Sequence, residues 1–128
     1  MEKKILLTAL IFGFVSIVLG AFGAHALKKV LSPDQLTSFE VGVRYMMYHA
    51  LFLLFVSSTS FLLPEQKNVV YHLALFGTLF FSVSIFLLST SVITGMNFKF
   101  LGPVTPLGGL LLIASWGMAF FYIITKKG

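Results

Sequence analysis

Residues 5–27 read ILLTALIFGFVSIVLGAFGAHAL, without a single Lys, Arg, Asp or Glu. A helix rises 1.5 Å per residue, so a hydrocarbon layer of about 30 Å needs about 20 helical residues to cross it. This stretch is long enough, and it sets the reading of the rest. Residues 45–63, 69–92 and 104–125 are also free of formal charge and of similar length. The sequence predicts an all-α integral membrane protein: one membrane domain over residues 1–128, with four transmembrane helices at about 5–27, 33–63, 69–92 and 104–125. Short connections make it an up-down four-helix bundle.

Composition agrees. Of 128 residues 58% are hydrophobic and 10% charged, where a soluble domain carries about 25% charged residues. Little chain is left over for a soluble catalytic module. The absence of Cys excludes disulfides, thiolate catalysis and zinc–thiolate sites. The net charge of +5 arises from Lys3, Lys4, Lys28, Lys29, Arg44, Lys67, Lys99, Lys126 and Lys127, which cluster mainly at span ends. Such cations set topology and touch anionic lipid; nucleic acid is not an expected partner. The first span resembles a signal peptide in its Lys3-Lys4 start and small residues, but it exceeds the 7–15 residues of a signal core. It is expected to be a retained helix. Four spans place both termini on one side, and the modest cation bias toward that side favours the cytoplasm.

Two local patterns refine the helices. Gly13, Gly20, Gly23 and Ala24 recur at helical spacing on the first span, and Gly108 and Gly109 sit near the start of the fourth. Small residues let membrane helices approach closely, so these six are the expected packing positions. Ser32-Pro33-Asp34-Gln35 is a capping-box start for the second helix. Residues 64–68, PEQKN, read as a polar turn.

The candidate site is a polar cluster: His25, Glu40, Arg44, Tyr45, Tyr48 and His49. Glu40, Arg44 and Tyr48 follow one another at i,i+4, as do Tyr45 and His49, so two adjacent stripes form on the second helix. Glu40 and Arg44 are expected to pair. His25 ends the first helix, and the short connection brings the second helix back beside it, so the two histidines are expected to converge. Ionisable residues at membrane depth usually face the bundle or a cavity. The cluster is expected to lock helices one and two together; a lipid-headgroup site and proton or ion movement are the alternatives. No metal site is expected, because two histidines and one carboxylate fall short of the usual zinc ligand set. No catalytic residue is assigned, since neither a nucleophile elbow nor a triad acid is present.

GAFGAHAL at 20–27, FEVGVRYMMYHAL at 39–51 and PVTPLGG at 103–109 with Ser115-Trp116 resemble the small bacterial membrane proteins grouped as domain of unknown function 423. Animal transmembrane protein 256 is similar to that group. The resemblance spans all four helices. It implies a four-helix inner-membrane protein without an established activity, and it places His25, Arg44, Tyr45, His49, Pro106, Gly108 and Gly109 at motif positions. Relatives often carry a Gly and a Tyr where this chain has Val83 and Phe86.

The expected function is therefore that of a small cell-membrane protein, non-enzymatic, acting as a scaffold, accessory or lipid-interacting protein, with membrane lipid and either a homo-oligomer or a membrane-protein partner. Transport through an oligomer is the second reading. A membrane enzyme acting on lipid or quinone through His25 or His49 is the third. No cofactor is expected.

Overall fold

A computed structural model describes residues 2–126 of the chain. Lys127, counted above among the flanking cations, lies outside the described residues. The helices are α1 (Lys3–Leu27), α2 (Pro33–Ser58) and α3 (Pro64–Ser89), then α4 (Val104–Ile124). Each is long and apolar enough to cross a membrane. A single turn, Ser91–Thr94, ends on Gly95 at φ 72°, which only glycine adopts without strain. A 3₁₀ turn, Lys99–Leu101, leads into α4.

The start of α2 is set by its sequence. Ser32 Oγ accepts from Gln35 N at 3.2 Å, and Gln35 Oε1 accepts from Ser32 N at 2.9 Å, with Pro33 behind them. The other end departs from the expectation. α2 stops at Ser58 and not at residue 63, and Thr59 is already extended. The residues read as a polar turn, 64–68, are the first turn of α3. Proline explains both changes. Pro64 disfavours helical backbone at Leu63 and suits the first position of a new helix. Gln66 Oε1 then accepts from Leu63 N at 2.9 Å. Lys67 consequently turns inward. It is only 3% exposed, and its Nζ donates to Ser57 O at 3.0 Å, satisfying a carbonyl of the last turn of α2.

α2 and α3 form the central pair, with α1 and α4 on opposite flanks whose backbones do not meet. The core contains Ile5, Ala9 and Phe12 of α1, Met46, Ala50, Leu53 and Val56 of α2, Val70, Tyr71 and Ala74 of α3 and Ala119 of α4. Phe14, Phe22 and Ile113 point outward, as lipid-facing side chains do.

Among the described residues, side-chain hydrogen bonds join four helix pairs. Thr8 Oγ1 and Tyr71 OH meet at 2.9 Å between α1 and α3. Ser82 Oγ donates to Gly42 O at 2.8 Å between α3 and α2. Ser84 Oγ and Thr105 Oγ1 meet at 2.6 Å between α3 and α4, and a fourth bond links α2 to α4. Among the described residues none crosses from α1 to α2. That pair relies on small residues: Gly13 lies against Ala50, Gly20 against Val43 and Gly23 against Phe39. The closest approach is elsewhere, where Gly108 of α4 sits against the Phe80–Phe81 backbone of α3.

Two interruptions share one level. Leu19–Gly23 of α1 and Leu79–Val83 of α3 are π-helical turns. Both lie beside the Phe39–Val43 stretch of α2, as the contacts of Gly20, Gly23 and Ser82 establish.

Candidate functional site

The central polar group is His49, 4% exposed on α2. Its Nδ1 donates to Tyr45 O at 2.7 Å, one helical turn back. Its Nε2 accepts from Trp116 Nε1 at 3.0 Å. The indole N–H can only donate, so the ring is held as the neutral Nδ1–H tautomer with both nitrogens engaged. Trp116 also stacks on Phe52, with ring centroids 4.2 Å apart. These contacts fasten α4 to α2 where their backbones stand apart.

The gap forms a groove of about 760 Å³, open on the flank of the bundle. Its walls are Phe52, Leu51 and Phe55 from α2 and Trp116, Phe120 and Ile123 from α4, with Tyr45 and Tyr48 at one end. Ala119 and His49 also line it. The lining is almost entirely carbon, and the one imidazole has no free nitrogen. Trp116 separates this groove from a second hollow of about 480 Å³ lined by Phe81, Gly109 and Leu112. A more polar hollow of about 490 Å³ lies toward the other membrane face, beside Asp34, Gln35, Ser38, Ser89 and Thr105.

The predicted cluster divides. Tyr45, Tyr48 and His49 come together: Tyr45 packs on Tyr48 at 5.4 Å and on Phe81 at 4.9 Å between ring centroids. His25 does not join them, which corrects the expected convergence. The contacts Gly23–Phe39 and Gly13–Ala50 fix the antiparallel register and set exposed His25 level with about Thr37. His49 lies about 12 residues further along α2, roughly 18 Å at 1.5 Å per residue. The short connection aligns the adjoining ends of α1 and α2, but His49 is four helical turns from that end.

Glu40 and Arg44 make no ion pair among the described residues, a second correction. Arg44 is exposed and Glu40 half-buried, on the side of α2 away from the core. Correct i,i+4 spacing makes a pair geometrically possible but does not fix the rotamers that would bring two long side chains together. Among the packing residues, Gly13, Gly20 and Gly23 face α2, Ala24 is half-buried, and Gly109 stands 3.8 Å from the Phe81 ring, measured from an added Cβ. No group of three His, Cys, Asp or Glu side chains capable of holding a metal occurs among the described residues.

The family model for proteins described as "Protein of unknown function (DUF423)" matches residues 19–109. The chain belongs to the DUF423 family. It is 38% identical over 104 residues to a UPF0382 membrane protein of Staphylococcus haemolyticus, covering 81% of each chain. Identity to the Bacillus subtilis UPF0382 membrane protein YwdK is 36% over 118 residues, 91% of this chain and 92% of that one. The Escherichia coli UPF0382 inner membrane protein YgdD is 31% identical over 131 residues, covering 98% and 93%. No solved structure matches. This DUF423 protein is thus a small membrane protein whose family name assigns no activity. The matched segment includes His49 and stops short of Trp116, its partner across the groove.

Proposed function

We propose that this DUF423 protein is a non-catalytic membrane protein that holds a lipid acyl chain in the groove between α2 and α4. The carrying observation is His49, whose two ring nitrogens are both committed to Tyr45 O and Trp116. An imidazole so engaged offers neither a base nor a metal ligand; it fixes a wall. The wall borders a carbon-lined groove that is open on the flank of the bundle. An acyl chain matches that chemistry, since apolar lining rewards burial by area and requires no directed partner.

Retained lipid tests this reading. Protein released from nanodiscs and weighed by native mass spectrometry is expected to keep one phospholipid. Ala119→Phe, which fills the groove, and Trp116→Ala, which removes a wall, should lose it. Phe14→Ala on the far flank should keep it. Equal retention by all of these, or none by the parent, removes the proposal.

The orientation belongs to the same proposal. Lys3, Lys4, Lys67 and Lys126 gather at one end of the bundle, against Lys28, Lys29 and Lys99 at the other, which supports cytoplasmic termini. Reporter fusions after Lys4 and after Lys126 should both read cytoplasmic. Opposite locations would exclude four spans, and two external locations would reverse the orientation.

A further inference from the structure

The side of α2 facing away from the core carries a pattern of its own. Thr37, Val41, Arg44, Tyr48, Leu51 and Phe55 follow one another at spacings of four, three, four, three and four. That is the 3.5-residue repeat of a helix–helix seam, which keeps one stripe turned to a partner over several turns. Val41 is half-buried and the other five are exposed; no helix of this chain covers them. Glu40 flanks the stripe beside Arg44.

Depth makes the charges informative. Gly20 lies against Val43, so Arg44 is level with about Leu19. The uncharged run of α1 continues eight residues beyond Leu19 to Leu27, roughly 12 Å at 1.5 Å per residue. Arg44 and Glu40 thus leave the helix inside the apolar layer, on its outer surface and unpaired with each other. Charges at such depth are costly and are normally covered or paired. Lys28 and Lys29, beyond the apolar run, incur no such cost.

We propose that a second copy of this chain covers the stripe, forming a two-fold dimer through α2. The two charges argue for this occupant. A two-fold axis along the membrane normal runs α2 and its copy parallel at the same depth. Arg44 of each, a long side chain on the seam, then reaches back one turn to Glu40 of the partner subunit, which flanks it. The surface is self-complementary, carrying one acid and one base a single turn apart. A lipid phosphate would satisfy Arg44 alone and would be repelled by Glu40. Tyr48, Leu51 and Phe55 complete the apolar half of the seam. They also border the groove, so the copy stands along its outer rim.

The chain has no Cys, so single cysteines report proximity directly. In native membranes under mild oxidation, Thr37→Cys and Leu51→Cys, at opposite ends of the seam, are expected to form disulfide-linked dimers. Phe14→Cys on α1 and Ile113→Cys on α4, equally outward, are expected not to. In the Thr37→Cys background, Arg44→Glu should cut the cross-linked fraction about tenfold, equivalent to roughly 1.4 kcal/mol. Adding Glu40→Arg should restore it to within about twofold. The melting profile in detergent should be the same for all charge variants, because the monomer does not use these side chains. Cross-linking at all four sites alike would reveal random collision and overturn the dimer. Failure of the charge swap to restore it, with bound anionic lipid lost instead, would assign Arg44 to a headgroup. Absence of cross-linking at both Thr37→Cys and Leu51→Cys, with the acyl chain retained, would end this proposal while sparing the groove reading.

Discussion

Gly108→Ala is expected to prise α3 from α4 and to be among the most damaging single-methyl changes in this protein. A Cβ at residue 108 would stand 2.4 Å from Phe81 N, 2.8 Å from Phe80 C and 2.9 Å from Gly77 O. All three are backbone atoms, so no rotamer change relieves the overlap, and the helices must separate. The separation would strain the Ser84–Thr105 bond one turn away. Overpacking a close contact costs about 1–3 kcal/mol and occasionally more; the expected loss lies at or above the top of that range. The same change elsewhere provides controls. Gly117→Ala meets nothing within 4 Å, and Gly109→Ala meets the Phe81 ring at an ordinary 3.8 Å. Gly20→Ala meets Val43 Cγ1 at 3.3 Å, a side chain that can yield. Detergent melting profiles should rank Gly108→Ala far below the other three. Equal profiles would mean that α3 and α4 do not pack this closely.

The second large effect concerns the link between His49 and Trp116. Trp116→Phe keeps an aromatic ring against Phe52 but deletes the N–H that, alone among the described residues, donates to His49 Nε2, leaving a buried acceptor unpaired. An unpaired buried group costs about 1–3 kcal/mol. His49→Ala removes more: the acceptor for Trp116, the bond to Tyr45 O and a buried ring. Aromatic truncations of that kind cost about 3–5 kcal/mol. Since the two residues share one bond, the double variant should lose about 0.5–3 kcal/mol less than the sum of the singles. Reversible unfolding in mixed micelles measures all three. Trp116 is the only tryptophan, so its emission in His49→Ala should also change as the indole is released. Strict additivity would sink the idea that this contact fastens α4 to α2.

Much of the architecture was legible in sequence for simple reasons. A charge-free run longer than the hydrocarbon layer has few other uses, and Ser32 with Gln35 states where α2 begins. The other end of α2 is written in the sequence too, but less plainly: Pro64, Glu65 and Gln66 carry a helix-start signature that the polar character of 64–68 obscures. The charge of Lys67 points to the membrane surface, whereas the turn containing it faces the last carbonyls of α2. The site was harder to read. Spacing places Glu40, Arg44 and Tyr48 on one side of a helix but does not say which way that side faces, because lipid and core are equally apolar. Trp116, 67 positions after His49, gives no local sign of its partner. The expected meeting of His25 and His49 failed because a short loop aligns helix ends, and His49 lies well away from its end.

The π-helical turns at Leu19–Gly23 and Leu79–Val83 bear on how this chain tolerates changes of length. Such a turn holds one more residue than an α-helical turn, while the helix on either side keeps its direction. Removing one residue within 19–23 or 79–83 therefore lets the local backbone relax to an ordinary α-turn, and the seams above and below keep their faces. A deletion within the uninterrupted helix of α2 has no such outlet and rotates every following side chain by about 100°, given 3.6 residues per turn. His49 would then point away from Trp116, and Arg44 would leave the outward stripe. Single-residue deletions in this lineage are expected to collect at those two turns, at the one level of the bundle where the helices can absorb the loss of a residue.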